Sequence, residues 1–328
     1  MADKIRYGVL STAQIARNQH IPSAQKSSNS EVIAISSRDE ARAKTWAAAL
    51  NIPKAYGAYE ALLADPEVDA VINPLPNSLH CQWTIKAAEA GKHILCEKPL
   101  AVTVEQAQRM IDAARANEVR LMEGFTHRFN PLFSFILATI EAGAIGEIRF
   151  VRSELTYTLQ DWENDTRVKA HLAGGGLFDA GCYAVNTVRT LMQTEPESVQ
   201  AVEHIRESHQ VDTRFVGLLK FPGGRLATIT AGMESPFRFS CEVIGSTGSL
   251  ITENLFRADR LHVTTDKGEW VEEFEVIDRF QAQIEHFSDC ILQNRRPAFS
   301  PEDGRSNVTV LVALKQAART GKVVKINQ

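Results

Sequence analysis

The sequence is short of most features that would tie a chain to a special environment. Its 5 cysteines, at 81, 96, 182, 241 and 290, stand alone and never in C-x-x-C spacing. An odd set of isolated thiols excludes a disulfide scaffold and makes reduced cysteines the default. Among 9 histidines there is no H-E-x-x-H and no Cys/His pairing, so no metal site is expected. No run approaches the ~18 consecutive apolar residues of a membrane-spanning helix. The opening Met1-Ala2-Asp3-Lys4-Ile5 enters a strand-like run at once, without the pattern of a signal peptide. Lysine and arginine gather no further than the pair Arg295-Arg296, and the net charge is −4. Phosphate backbones need clustered cations, which argues against nucleic acid as a partner. From these absences a globular protein of the cytoplasm is expected, with neither nucleic acid nor membrane as partner.

What is present is an ordinary globular composition, 44% hydrophobic and 23% charged over 328 residues. That length suits two domains at roughly 150 residues each. In the first third, short apolar runs alternate with amphipathic stretches, the pattern of a parallel sheet with crossover helices. Strands are expected over 5–10, 31–36, 69–73, 93–96 and 119–123. Helices are expected over 39–50, opened by Asp39; over 79–90, closed by Gly91; and over 104–117, capped by Thr103. Together they predict a doubly wound α/β domain over 1–124.

Past Phe125 the texture changes. A helix near 132–142 and a long strand over 147–159 precede strands at 198–204, 213–221, 225–233 and 239–244. Turns such as Pro222-Gly223-Gly224 separate them. Strands arriving in a block form antiparallel or mixed sheets. Residues 125–328 are therefore expected to be an α+β domain with a large, mostly antiparallel open sheet, ended by helices over 279–293 and 303–320.

The first expected strand runs into Gly8-Val9-Leu10-Ser11-Thr12-Ala13-Gln14-Ile15-Ala16. A dinucleotide fingerprint needs small residues where the chain turns and where its backbone meets a pyrophosphate at a helix N-terminus. Here Ser11, Ala13 and Ala16 replace the usual glycines. The second strand ends at Ser36-Ser37-Arg38, about 20 residues on, where NAD enzymes carry an acid for the ribose 2′-hydroxyl. A hydroxyl and a guanidinium suit the 2′-phosphate of NADP instead. The alternative is that Arg38 is a solvated loop residue and Asp39, better explained as a helix cap, binds the ribose. The loops Pro74-Leu75-Pro76-Asn77-Ser78-Leu79-His80 and Cys96-Glu97-Lys98-Pro99 leave the carboxyl ends of strands, where open α/β sheets bind ligands. A lysine there donates to a substrate hydroxyl and lowers its pKa; as a plain surface ion pair, Glu97-Lys98 would matter little.

In this order, the fingerprint variant, the strand-end Ser-Arg, the Pro-Asn-x-x-His loop and the Glu-Lys-Pro triplet resemble the glucose–fructose oxidoreductase and inositol dehydrogenase family, often called Gfo/Idh/MocA. A second block agrees, Gly174-Gly175-Gly176-Leu177-Phe178-Asp179-Ala180-Gly181-Cys182-Tyr183-Ala184-Val185-Asn186, as does the ending Pro301-Glu302-Asp303-Gly304 with Thr320-Gly321-Lys322. The resemblance covers essentially the whole chain. It implies a Rossmann domain, then an α+β domain whose open sheet also forms a subunit interface. An uncovered sheet face would be an apolar patch that soluble monomers avoid, so a homodimer or homotetramer is expected. A cis Lys98–Pro99 peptide is expected too, resting largely on the resemblance.

The resemblance implies catalytic roles for Lys98, Asp179 and Tyr183, the last at an acid/base position that is histidine in inositol dehydrogenases. Tyrosine there points to the branch resembling dimeric dihydrodiol dehydrogenases, pentose dehydrogenases and anhydrofructose reductases. The implied cofactor cradle is Ser11, Thr12, Ala13, Ile15, Ser37, Arg38, Leu75, Asn77, His80, Glu97 and Lys98, for NADP, with NAD possible. Arg128, Trp162 and Asn186 are expected to line the substrate pocket. Asp161 and Arg167 are pocket-lining residues without an assigned role, and His127 and Arg128 serve either the ligands or a hinge.

The chemistry of the three catalytic candidates is coherent in itself. Asp179 and Tyr183 are four apart, on one face if a helix begins near Asp179. A tyrosine at its reference pKa of about 10 is only ~0.1% ionised at neutral pH, and a nearby ammonium favours the phenolate. Lys98 would then hold the substrate oxygen while Tyr183 takes or returns the proton. The alternative, a Tyr183 that merely packs, is opposed by the triple glycine, which lets backbone approach a ligand. The expected function is hydride transfer between NADP and a secondary alcohol or carbonyl of a sugar, polyol or cyclic diol. A cofactor-dependent glycosidase working by transient oxidation is disfavoured by Ser37-Arg38. A silent nucleotide-binding sensor is disfavoured by the joint retention of Lys98, Asp179 and Tyr183.

Overall fold

The computed structural model describes residues 4–326, and the expectation drawn from Met1-Ala2-Asp3 lies outside the described residues. They form two compact units. One runs to Thr126 and takes in Asp278–Arg305; the other holds His127–Ile277 and continues from Ser306. The crossing at Thr126 is close to the expected boundary at 124, but the assignment of all of 125–328 to the second domain is corrected: Asp278–Arg305 packs with the first unit. Among the described residues no helix is long and apolar enough to cross a membrane.

The first unit alternates strand and helix: β1 (Ile5–Leu10), α1 (Ile21–Lys26), β2 (Ser30–Ser36), α2 (Glu40–Ala49), β3 (Lys54–Tyr56), α3 (Tyr59–Leu63), β4 (Ala70–Asn73), α4 (His80–Glu89), β5 (His93–Cys96), α5 (Val104–Ala116) and β6 (Leu121–Glu123). All neighbours in the order β3-β2-β1-β4-β5-β6 pair in parallel, the doubly wound arrangement. Strands covered by helices on both faces must be apolar throughout, and β4 is buried along its whole length. Both expected caps form: Asp39 accepts from the Arg42 N–H and Thr103 from the Gln106 N–H. The sequence reading lacked β3, a three-residue, half-buried strand with no alternation to betray it.

The second unit contains α6 (Pro131–Glu141), β7 (Ile148–Thr158), α7 (Cys182–Met192), β8 (Ser198–Arg206), β9 (Val211–Lys220), β10 (Leu226–Gly232), β11 (Glu234–Gly245), β12 (Ser249–Thr252), β13 (Arg260–Thr265) and β14 (Gly268–Glu273). The chain then forms α8 (Arg279–Leu292), whose Asp278 cap accepts from Ser23 Oγ and whose Ser288 meets the Tyr7 hydroxyl at 2.9 Å; these bonds tie it to the first unit. It closes with α9 (Pro301–Thr320) and β15 (Val324–Lys325). The nine-stranded sheet runs β14-β13-β12-β11-β7-β10-β9-β8-β15, antiparallel except for β7 with β10. Along β9, Thr213, Phe215 and Leu219 are buried while Arg214, Val216, Leu218 and Lys220 are exposed, the period of a sheet covered on one face. Helix α9 lies on the covered side, with Leu314 over Gly217.

Candidate functional site

In the first unit the strand order reverses at β1 and β4, and sheets of this kind bind ligands beyond the carboxyl ends of the strands there. Directly after β1, Ser11 has φ 86°, a left-handed conformation that costs a non-glycine residue roughly 1–2 kcal/mol. Its hydroxyl oxygen is buried without a hydrogen-bond partner. Strain and an orphaned hydroxyl at the entrance to a helix together mark a ligand contact. Thr12 is buried, Ala13 and Ile15 half-buried. The Ala13 carbonyl accepts from Ala16 and Arg17 N–H at 3.0 and 3.2 Å, opening the wide π-turn Ala16–His20 that leads into α1. This small-residue turn fits a dinucleotide pyrophosphate.

At the end of β2, Ser37 Oγ accepts the Asp39 N–H at 3.2 Å and Asp39 Oδ1 accepts the Arg42 N–H at 3.1 Å. The acidic side chain is thus the cap of α2, as expected. Arg38 is exposed and lies against the Tyr59 hydroxyl, which burial pushes up and this guanidinium pulls down. The sequence reading missed Arg42. Its Nη2 donates to the Thr12 carbonyl at 3.3 Å, and its guanidinium, like that of Arg17, rests over the Trp46 ring. The available signal was its place on the first turn of α2, three residues past the Asp39 cap.

The loops after β4 and β5 meet through His80. This residue is fully buried, with Nδ1 2.8 Å from the Pro99 carbonyl and Nε2 2.7 Å from that of Leu75. Burial pushes its pKa down, against the two carbonyls, which favour the protonated ring that can donate to both. Its expected role as a cofactor ligand is corrected: the imidazole staples two loops and has no surface to offer. Glu97 is similar. Its carboxylate turns inward to His20 Nε2 at 2.6 Å and accepts the Lys98 N–H at 3.2 Å. Burial alone would push this carboxyl up, but those bonds and the His20 and Lys98 charges hold it below the usual carboxylate range. Lys98 is half-buried on the cis Lys98–Pro99 turn. Behind it, Glu123 Oε1 accepts the Leu100 N–H at 2.6 Å, and Gly304 of α9 sits so close that a Cβ would stand 2.7 Å from Glu123 Oε2. Leu75 is buried and Asn77 half-exposed on a short 3-10 turn.

In the second unit, Asp179 lies in the π-turn Leu177–Gly181 that enters α7, and Tyr183 follows on the first turn of that helix. The Tyr157 hydroxyl of β7 donates to Asp179 Oδ2 at 2.5 Å, and Arg167 Nε pairs with the same oxygen at 3.1 Å. Tyr183 packs edge-on against His127 and Phe256, with ring centroids 5.5 and 5.2 Å away. His127, fully buried, also meets Thr187 Oγ1 at 3.3 Å. Asn186 is fully buried, with neither amide atom hydrogen-bonded. Arg128 is half-buried on the turn Thr126–Phe129. Trp162, expected in the substrate pocket, is half-buried: Arg206 stacks on its ring at 4.1 Å and it packs against the cluster of Leu159, Val168, Val211 and Met233. Asp161 accepts from the Glu163 and Asn164 N–H groups of its own loop.

The triple glycine also has another cause than the one expected. At Gly174 a Cβ would strike the Arg167 carbonyl, and at Gly175, with φ 114°, it would strike the Asp212 carboxylate. The backbone comes close to the protein itself.

A sequence profile of an oxidoreductase family with an NAD-binding Rossmann fold matches residues 5–125, and one of the GFO/IDH/MocA C-terminal domain matches 133–251. The chain is 36% identical over 326 residues to D-xylose 1-dehydrogenase (NADP(+)) 2 of Haloferax volcanii, covering 98% of this chain and 99% of that one. It is 34% identical over 245 residues to trans-1,2-dihydrobenzene-1,2-diol dehydrogenase of Xenopus tropicalis, 74% and 73% of the two chains. Among solved structures, it is similar to aldose-aldose oxidoreductase from Caulobacter crescentus complexed with glycerol (TM-score 0.91, 30% identity, 98% and 99% covered). It is also similar to a 3-ketoreductase from Actinomadura kijaniata in complex with NADP and TDP-benzene (TM-score 0.90, 30% identity, 96% and 98% covered).

Proposed function

Because the chain belongs to the GFO/IDH/MocA oxidoreductase family, we propose that it transfers hydride between NADP and a secondary alcohol or carbonyl of a sugar, polyol or cyclic diol. The observation that carries the choice of cofactor is at the end of β2. The carboxylate there is engaged as the cap of α2, Arg38 leaves the same strand end with its guanidinium beside the Tyr59 hydroxyl, and the Arg42 guanidinium reaches the Thr12 turn. A cationic ribose site favours a 2′-phosphate. Ser11, Thr12, Ala13 and Ile15 cradle the pyrophosphate, and Leu75, Asn77 and the Glu97-Lys98 backbone border the remainder of the cofactor. NADP supplies the hydride-transferring nicotinamide ring. The chain's own residues bind the substrate oxygen and move its proton: Lys98 donates to that oxygen, Tyr183 takes or returns the proton, and Asp179 accepts from a neighbouring hydroxyl. Arg128 and Asn186 border the substrate; a buried amide with unmet donors and acceptor is poised for polar recognition.

The test is a panel of pentoses, hexoses, inositols and dihydrodiols assayed with NADP and NAD by nicotinamide absorbance. Turnover with NADP supports the reading; glycoside cleavage without net cofactor turnover would support the glycosidase alternative instead. Tyr183→Phe should lower turnover about 10²–10⁴-fold while NADP binding, followed by fluorescence, is kept.

The reading extends to assembly and location. The open sheet face exposes Phe150, Val216, Leu218 and Leu226, and a groove of about 570 Å³ runs over it between Leu218, Leu226 and Val323. An apolar face of this kind fits a second copy of the chain, giving a homodimer or homotetramer. Light scattering at micromolar concentration tests this, and Leu218→Glu should shift an assembled species to monomer. The five buried thiols suit a reducing, cytoplasmic setting.

A further inference from the structure

We propose that Arg167 is a positioning residue for the reaction, holding Asp179 together with Tyr157 in one orientation and as a carboxylate. This inference rests on the reading above that Asp179 serves the substrate.

Arg167 grips the Asp179 turn twice. Its carbonyl accepts the Gly175 N–H at 2.9 Å, so its main chain fixes the segment leading into the turn. Its Nε meets Asp179 Oδ2 at 3.1 Å. The close approach of Gly174 to the same carbonyl leaves no room for a side chain there, so the glycine serves the Arg167 contact. Arg167 is in turn fixed by Asp165, which accepts its N–H at 2.8 Å and its Nη1 at 3.1 and 3.3 Å. Tyr157 completes the arrangement from β7, its hydroxyl 2.5 Å from Oδ2, a length usual when the acceptor is charged.

Tyr157 on β7 and Arg167, backed by Asp165, on the loop both meet the Asp179 carboxylate, and the Cys182 thiol donates to the Asp179 backbone carbonyl. Burial and the Asp179 charge push the Tyr157 hydroxyl up, keeping it a donor, and the Asp179 charge pushes the Arg167 guanidinium up. Both neighbours thus donate to Oδ2. An acidic side chain held in this way accepts hydrogen bonds at neutral pH and is a poor proton donor. The Asp179 side chain is only 14% exposed, so its orientation decides which substrate hydroxyl it reaches. Fixing that orientation from a loop outside α7 is what a positioning residue does.

The experiment compares Asp179→Asn, Arg167→Met, Arg167→Lys and Tyr157→Phe in the full chain, measuring kcat and KM with NADP and the sugar turned over best. The acid limb of kcat/KM is recorded against pH, with NADP titration as the check on folding. Asp179→Asn should lose activity. Arg167→Met should lose kcat/KM on the order of 10²-fold and move the acid limb upward by about one pH unit, because an opposite charge has been removed from a carboxylate. Arg167→Lys should recover part of both, and Tyr157→Phe should move the limb in the same direction by less. If Asp179→Asn is impaired while Arg167→Met and Tyr157→Phe keep the wild-type limb and kcat/KM, the inference is overturned and the assignment of Asp179 stands. If Asp179→Asn itself turns over normally, the functional reading of Asp179 fails. Should Arg167→Met not bind NADP, Arg167→Lys and Tyr157→Phe decide the matter, and wild-type limbs in both would overturn it.

Discussion

Asp212 occupies the space that a side chain at Gly175 would need, and its Oδ2 accepts the Leu177 N–H at 2.6 Å. The carboxylate of β9 thus clamps the start of the turn that carries Asp179 and leads to Tyr183. A buried acid facing the first N–H groups of a helical segment is stabilised there, although burial pushes its own carboxyl up.

Gly175→Ala should therefore cost more than a positive φ alone. Gly223 also has positive φ, 73°, but faces open space, so Gly223→Ala should lose only the roughly 1–2 kcal/mol of the backbone conformation. Urea unfolding of both variants measures the difference. Equal losses would mean that the Asp212 contact yields without cost.

How far the sequence was legible follows from the range of the interactions involved. Asp39 and Thr103 were read correctly because a cap bonds to a residue three positions on, and such bonds are written in adjacent letters. The parallel strands were legible from their apolar runs, and the placing of Asp179 and Tyr183 at the entry to one helix from a motif on one short segment. What closes over distance was not. Asp212 lies far in sequence from Leu177, so the triple glycine was assigned to a ligand. His80 looked like a cradle residue because the loop pattern does not reveal that both ring nitrogens face carbonyls within the fold. The return of α8 to the first unit depends on Tyr7, Ser23 and Asn29 meeting Ser288, Asp278 and Asp289, and no periodicity encodes such pairs.

Ser11 sets stability against binding. Replacing it by glycine removes the cost of φ 86° and should raise the stability of the cofactor-free protein by about 1 kcal/mol. The same change deletes the orphaned hydroxyl, so NADP should bind more weakly. Thermal unfolding without cofactor and a fluorescence titration with NADP check the two halves. A Ser11→Gly protein that is both more stable and equally tight would show that the hydroxyl makes no cofactor contact.

Arg38 and Arg42 should discriminate between cofactors. Arg38→Ala is expected to weaken NADP by about 1.5–3 kcal/mol, the range for hydrogen bonds to charged groups, and to leave NAD nearly unchanged. Arg42→Ala should also weaken NADP, and it disturbs the Thr12 turn as well, so some loss of NAD affinity is expected. Equal losses of both cofactors in Arg38→Ala would return that residue to the solvated loop.

The buried pair of His20 and Glu97, 2.6 Å apart, should make the first unit acid-sensitive. The folded-state pKa of Glu97 lies below its ordinary value, because the His20 bond and neighbouring charges outweigh burial. Its contribution to stability is therefore complete above the unfolded-state value of about 4.3 and disappears as pH falls through the lower folded-state value. Asp65 and Asp69 are held low as well, so the total acid slope belongs to several groups and only a difference isolates one. Glu97→Gln should show a shallower fall of unfolding free energy below about pH 5 than the wild type. His20→Ala leaves the carboxylate buried without its partner and should cost about 3–5 kcal/mol at neutral pH, with part of the loss regained on acidification as the acid becomes neutral. Urea denaturation across this pH range measures both. Parallel pH curves for the wild type and Glu97→Gln would show that Glu97 titrates alike in the folded and unfolded chain.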